Sequence, residues 1–224
     1  MADMEAIALT AWLATLTTLL LTVLATPLAW WLAQTHSRVK PLVEALVAMP
    51  LVLPPTVLGF YLLILLNPDS ALGALWVTVT GNALTFSFSG LVVASLVYSL
   101  PFMVQPLHSA FRGVGVDVLE AASTLGAGPR DRFLSVVLPL SVRGYLTGFV
   151  LTFAHTVGEF GVVLMMGGNI PGETRVLSIA IYEHVETLNY AAAHELALGL
   201  LAFSMLALLL VYRGNAQRFE MAQP

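Results

Sequence analysis

The chain has no cysteine, a single lysine, and only 10% charged residues among its 224. The missing cysteine excludes a disulfide scaffold, a thiolate metal site and a cysteine nucleophile. Nine Lys and Arg residues and a formal charge of -4 leave no basic stripe to neutralise phosphates, so nucleic acid is not a partner. Lys40 is followed by Pro41, so no phosphate-binding loop ending in Gly-Lys-Ser/Thr exists and ATP hydrolysis is not expected of this chain alone. No Gly-x-Ser-x-Gly elbow and no His-Glu-x-x-His pair offers a nucleophile or a metal. The charged fraction is under half of the roughly 25% that soluble domains carry. What the chain has instead is 58% hydrophobic residues and a mean hydropathy of +0.87. These are the proportions of an integral membrane protein.

Five apolar stretches run over about 7–33, 42–66, 89–107, 144–166 and 191–211. Each approaches or exceeds the length that crosses ~30 Å of hydrocarbon at ~1.5 Å per residue. Helices are expected, because open strands leave backbone groups unsatisfied in lipid and a barrel needs short alternating segments. The fold class read from this is an all-α membrane protein of about five spans, with a sixth conceivable, in one domain over 1–224. Met1-Ala2-Asp3-Met4-Glu5 is acidic where a signal peptide is basic, so the first span is expected to stay as an anchor. Of the nine cations, only Arg175 lies on the far side; Arg38, Lys40, Arg112, Arg130, Arg132, Arg143, Arg213 and Arg218 share the other. The positive-inside rule then puts the N-terminus outside and the C-terminus in the cytoplasm, a parity that five spans satisfy.

The segment 109–143 is long for a chain with so little aqueous mass. It reads as helix, stop, helix. Asp117 is placed to cap, with Glu120 three residues on completing a capping box. Ala121, Ala122 and Leu125 follow, and Gly126 supplies a left-handed terminator. Pro129 restarts a helix after Gly128, and Phe133, Val136 and Val137 form an apolar face that Leu138-Pro139 is expected to break. Glu120-Ala121-Ala122, Gly126, Val136 and Leu138-Pro139 together resemble the EAA signature of ABC importer permeases, with Val136 in place of the commoner Ile. The resemblance implies that the short helix is a coupling helix, Glu120, Ala121, Ala122, Leu125 and Gly126 docking in a groove of a cytoplasmic ATPase.

Further runs narrow the resemblance. Met49-Pro50-Leu51-Val52-Leu53-Pro54-Pro55-Thr56-Val57-Leu58-Gly59-Phe60-Tyr61, Gly158-Glu159-Phe160-Gly161, the stretch Gly167 to Arg175 and the run Leu177 to Tyr182 are similar to the molybdate permease branch. Sulfate and tungstate permeases share the Gly-Glu-Phe-Gly and Gly-Asn-Ile-Pro-Gly portions. Taken by themselves, Pro50, Pro54 and Pro55 free carbonyls at membrane depth, which lipid tolerates only beside protein or water. A flexible helix lining an alternating-access path and a plain buried kink both answer to that. His155 and Glu159, four apart, are expected on one helical face. A charged Glu159 on the path of an anion repels it, so Glu159 is expected to bond to a neighbour such as His155 or Tyr145, or to be protonated. A polar clamp near the outer part of the path is the preferred role. No Lys or Arg lies in mid-span, which leaves Thr56, Thr147, Thr152 and Thr156 as polar groups for a weak path. Gly144 and Gly148 are spaced for close helix packing, within the chain or across a dimer. His36, His108, His184 and His194 sit at span ends, where solvation accounts for them.

The resemblance implies a permease that carries molybdate, or a related tetrahedral oxyanion, inward by alternating access. It implies two ATPase subunits, which bind the ATP and Mg, and an extracytoplasmic binding protein contacting the outer segments 67–87 and 167–190. No cofactor or metal is expected in this chain. One copy has too few helices to enclose a path, so a homodimer in membrane lipid is expected. Two other classes stay open on residues alone: a membrane-embedded enzyme using His155 and Glu159, and a passive channel.

Overall fold

The computed structural model describes the backbone of residues 2–220 and the side chains of 3–212. The side chains of Arg213 and Arg218, which enter the charge argument above, lie outside the described residues. Among the described residues every regular element is a helix. The order is α1 (Ala2–Gln34), α2 (Lys40–Val52), α3 (Pro55–Leu66), α4 (Ala71–Thr80), α5 (Phe88–Arg112), α6 (Val116–Thr124), α7 (Pro129–Leu140), α8 (Val142–Gly158), α9 (Gly161–Gly167), α10 (Leu177–Glu186) and α11 (Tyr190–Glu220). Over Arg132–Val137, α7 widens into a π-helical stretch.

Three helices are long and apolar enough to cross a membrane, and five spans result if each bent pair counts once: α2 with α3, bent by 115°, and α7 with α8, bent by 68°. In α1 the hydroxyls of Thr10, Thr15, Thr18, Thr22 and Thr26 return to the helix, Thr10 to the Ala6 carbonyl at 2.7 Å and Thr18 to Ala14 at 2.6 Å, while Thr17 is buried without a partner. For those five, that pairing lets a polar side chain sit in hydrocarbon without an orphaned donor. α11 is the reverse of a soluble helix, exposing Leu198, Leu201, Met205 and Leu209 along its length. Such a surface is stable against lipid or a partner helix, and not against water.

α5 is the central post, flanked by α1 and α8. Ser87 caps it by accepting from the Gly90 amide at 3.2 Å. Gly144 of α8 lies against Ala110 and the Pro106 carbonyl, and Gly148 against Met103, so these two glycines serve a close crossing inside the chain. One core cluster joins Leu21, Ala25 and Ala29 of α1 to Met103, Leu107 and Phe111 of α5, and continues into Leu119 of α6 and Val137 of α7. The 113–141 segment is thus packed onto the bundle end rather than tethered to it. Phe133 adds edge contacts to Trp30 and Phe111, with ring centroids 5.4 and 5.9 Å apart.

Two local expectations change. Gly115, with φ 78°, takes the N-cap position of α6, and Asp117 falls inside its first turn, forming no capping box. α7 runs through Leu138-Pro139 and stops at Ser141, because a proline in the first turn of the closing segment gives up only a donor that the π-helical widening already frees. The connections 67–87 and 167–190 hold helices of their own: Ser70 caps α4 by accepting from Gly73 N at 3.0 Å and Gly81, at φ 76°, ends it, while α10 occupies Leu177–Glu186 of the second.

Candidate functional site

Two breaks in membrane-depth helices meet. The first lies between α2 and α3, where Leu53 ends one helix and Pro54 opens the next with ψ 135°. Pro50 is tolerated inside α2, so the pair Pro54-Pro55 makes the break. The second lies between α8 and α9 and has no proline: α8 ends at Gly158, Glu159 turns extended at ψ 132°, and Phe160 leads into α9. A Cβ on Gly161, the first residue of α9, would sit 2.8 Å from Pro55 Cβ and 3.4 Å from the Thr56 amide. One on Gly59 would sit 2.7 Å from Met165 Cβ. The halves beyond the breaks, α3 and α9, therefore press together through glycine, with Leu58, Val162 and Met166 in one core cluster with Ala94 of α5.

His155 and Glu159 do not share a helical face, because the helix ends between them. His155 Nδ1 bonds Ser99 Oγ at 2.9 Å, and its ring stacks on Phe102 with centroids 3.9 Å apart. Ser99 Oγ also bonds Thr156 Oγ1 at 3.0 Å, and Thr156 returns to the Thr152 carbonyl at 2.9 Å. Thr152 and Thr156 are buried in the seam between α5 and α8. Within one chain they face a neighbouring helix and no open path. Glu159 is 3% exposed, and neither carboxylate oxygen has a hydrogen-bond partner in the chain. Tyr145, the other partner expected for it, bonds Thr26 at 3.0 Å instead. The Glu159 backbone carbonyl accepts from Ser178 Oγ at 2.5 Å, and Phe160 packs on Tyr182 at 5.0 Å, so α10 holds the break from outside. Pro54 and Thr56 lie on the exposed side of the first break and Pro55 is half-buried.

Sequence reasoning misses the partners of His155 on α5, namely Tyr98, Ser99 and Phe102. Ser95 and Ser99, four apart in an apolar span, are the signal that could have found them. It also misses a second cluster. Arg175 Nε lies 3.1 Å from Glu183, its Nη2 3.6 Å from Asp3, and His184 Nε2 3.1 Å from Asp3. His184 is thus tied to the start of α1 rather than merely solvated. The signal there is Arg175, the one cation apart from the other eight along the chain, and the acidic residues Asp3 and Glu5.

At the opposite end, α6 buries Leu119 and exposes Glu120 and Ala121, with Leu125 88% exposed just past its end. Gly126, at φ 88°, terminates the helix, the Ala127 amide reaching the Ala122 carbonyl at 3.0 Å. Arg132 Nη1 donates to Ser123 Oγ at 2.9 Å, fixing α6 against α7. No group of three or more His, Cys, Asp or Glu side chains poised for a metal occurs among the described residues.

A family model described as "Binding-protein-dependent transport system inner membrane component" matches residues 25–217. The molybdenum transport system permease protein ModB of Azotobacter vinelandii is 56% identical over 218 residues, which are 97% of this chain and 96% of the relative. ModB of Escherichia coli K12 is 37% identical over 183 residues, 81% of this chain and 80% of the relative. A molybdenum permease of Haloferax volcanii, described as probable, is 39% identical over 207 residues, 92% of this chain and 74% of the relative. Among solved structures, a bacterial alginate ABC transporter in complex with an alginate-bound periplasmic protein superposes with a TM-score of 0.70 at 16% identity, over 98% of this chain and 79% of that one. At that identity the likeness speaks for the fold.

Proposed function

Because the chain belongs to the binding-protein-dependent inner membrane transport components, it is the multi-pass permease subunit of an ABC importer for molybdate, and we propose that it works as a homodimer with two ATPases and an extracytoplasmic binding protein. The observation that carries the substrate is the 56% identity to a molybdenum permease along nearly the whole of both chains. The termini are oriented with the N-terminus outside, so that the end carrying α6 and α7 faces the ATPase.

Glu120, Ala121, Ala122, Leu125 and Gly126 form the docking lever. An 88%-exposed leucine beside small residues offers an apolar contact of close approach, and burial of Leu119 passes its displacement to α1 and α5 through one packed cluster. Pro54, Pro55 and Thr56 on one side and His155, Thr156 and Glu159 on the other form the gate region. The outer halves α3 and α9 swing about the two breaks as one piece. Thr152 and the Ser99–His155 pair keep the α5–α8 seam closed while they do so. Selectivity then resides chiefly in the binding protein, since no cation stands at mid-span.

The test is ATPase activity of the reconstituted complex with its binding protein, titrated with molybdate, tungstate and sulfate. Stimulation by molybdate at the lowest concentration is expected. Stimulation by sulfate alone would overturn the substrate, and molybdate flux without any ATPase would favour a channel.

A further inference from the structure

Between the last turns of α5 and the first turns of α8 lies a pocket of about 370 Å³, at the end of the bundle that carries α6 and α7. Its polar lining is Arg143, Ser109 and Thr147, with the backbone of Gly113 and Gly144 completing the wall. No carboxylate lines it, and no acidic side chain lies within 4 Å of Arg143 among the described residues. The pocket also sits at the start of a 17-residue helix, whose N-terminal amides carry partial positive charge. The exposed Arg143 guanidinium, the Ser109 and Thr147 hydroxyls and the helix start are groups that a multivalent oxygen anion satisfies.

We propose that this pocket binds a tetrahedral oxyanion, held by the Arg143 guanidinium and the Ser109 and Thr147 hydroxyls at the start of α8. The inference rests on the importer reading for its biological source, though not for its chemistry. Arg143 supplies a planar fork that matches two oxygens, and the hydroxyls donate to the others. The pocket is half open and wider than such an anion requires, so the anion enters with part of its water and is held weakly. A phosphate group of a membrane lipid offers the same chemistry as free molybdate at the cytoplasmic interface. Either occupant lies beside the hinge at Ser141, between the α6–α7 segment and the transmembrane part of α8.

The permease–ATPase complex, purified in detergent, is dialysed against molybdate alone, as wild type and as Arg143→Gln, Arg143→Lys and Thr147→Val variants. In parallel, each is placed in vesicles of phosphatidylcholine, with or without an equal part of phosphatidylglycerol, and retained lipid is read by native mass spectrometry. A loss of roughly tenfold or more in molybdate affinity for Arg143→Gln, with partial retention for Arg143→Lys, establishes the pocket as a free-oxyanion site. Arg143-dependent retention of phosphatidylglycerol without molybdate binding establishes it as a lipid-phosphate site. If neither probe distinguishes wild type from Arg143→Gln and Thr147→Val, the inference falls. ATP-driven molybdate uptake by the wild-type complex is measured alongside. Uptake without Arg143-dependent binding overturns the pocket alone, and Arg143-dependent binding without uptake overturns the importer reading alone.

Discussion

The two breaks that meet near Gly161 interrupt their helices for different reasons. Between α2 and α3 the cause is covalent: Pro54-Pro55 removes two donors and forbids helical geometry at Leu53, and the exposed side of the break needs nothing else. Between α8 and α9 no residue forbids a helix, and the break is held by its surroundings. Ser178 ties down the Glu159 carbonyl, Phe160 is packed on Tyr182, and the start of α9 is pressed against Pro55. The first break persists wherever the sequence goes, whereas the second depends on α3 and α10 being in place. A transporter that must change shape needs both kinds, one fixed pivot and one that its neighbours set.

The largest effect is expected where the two breaks touch. Gly161→Val places branched carbons against Pro55 and Thr56 and forces α3 and α9 apart, an overpacking of ~1–3 kcal/mol. Uptake of molybdate should be lost and thermal stability lowered, whereas Gly158→Ala, with open space around its Cβ, should change neither. Next comes the drive to both breaks. Gly126→Val puts a branched residue at φ 88°, straining the end of α6 by ~1–3 kcal/mol. ATP hydrolysis should continue while uptake falls, and undiminished uptake would count against the lever. Smaller is Glu159→Gln: the carboxylate has no bonded partner in the chain to orphan, so stability should change by no more than about 1 kcal/mol in a thermal melt. A collapse of folding would show that the charge itself holds the second break. Smallest is Pro54→Ala, which restores one donor beside the remaining Pro55, so uptake measured in proteoliposomes should fall by no more than about threefold.

The same contrast decides how much of the fold and of the site is legible in the amino-acid sequence. The proline break is readable from Pro50, Pro54 and Pro55, although which of them acts is not: Pro50 stands inside α2 because its missing donor is tolerated there. Gly126 is readable because a helix end demands a residue that tolerates positive φ. The second break is not readable. Glu159 looks like the next polar residue on the face of His155, and only contacts from α3 and α10, far along the chain, end the helix before it. Gly115 displaces Asp117 as the start of α6 for a similar reason: Leu119 is fixed in the core by α1 and α5, and the register follows from that. Local chemistry shows where the chain must bend, and tertiary packing chooses where else it does.

The claim that α3 and α9 move as one piece is open to direct measurement, because the chain has no native cysteine to interfere with labelling. Spin labels at Ile64→Cys of α3 and Ile170→Cys just past α9 report the distance across the paired halves beyond the breaks. Labels at Leu46→Cys of α2 and Ile64→Cys report the first break. Pulsed dipolar spectroscopy on the full complex, nucleotide-free and ATP-bound, should leave the 64–170 distance unchanged and shift the 46–64 distance. A shift in 64–170 with 46–64 unchanged would contradict the account.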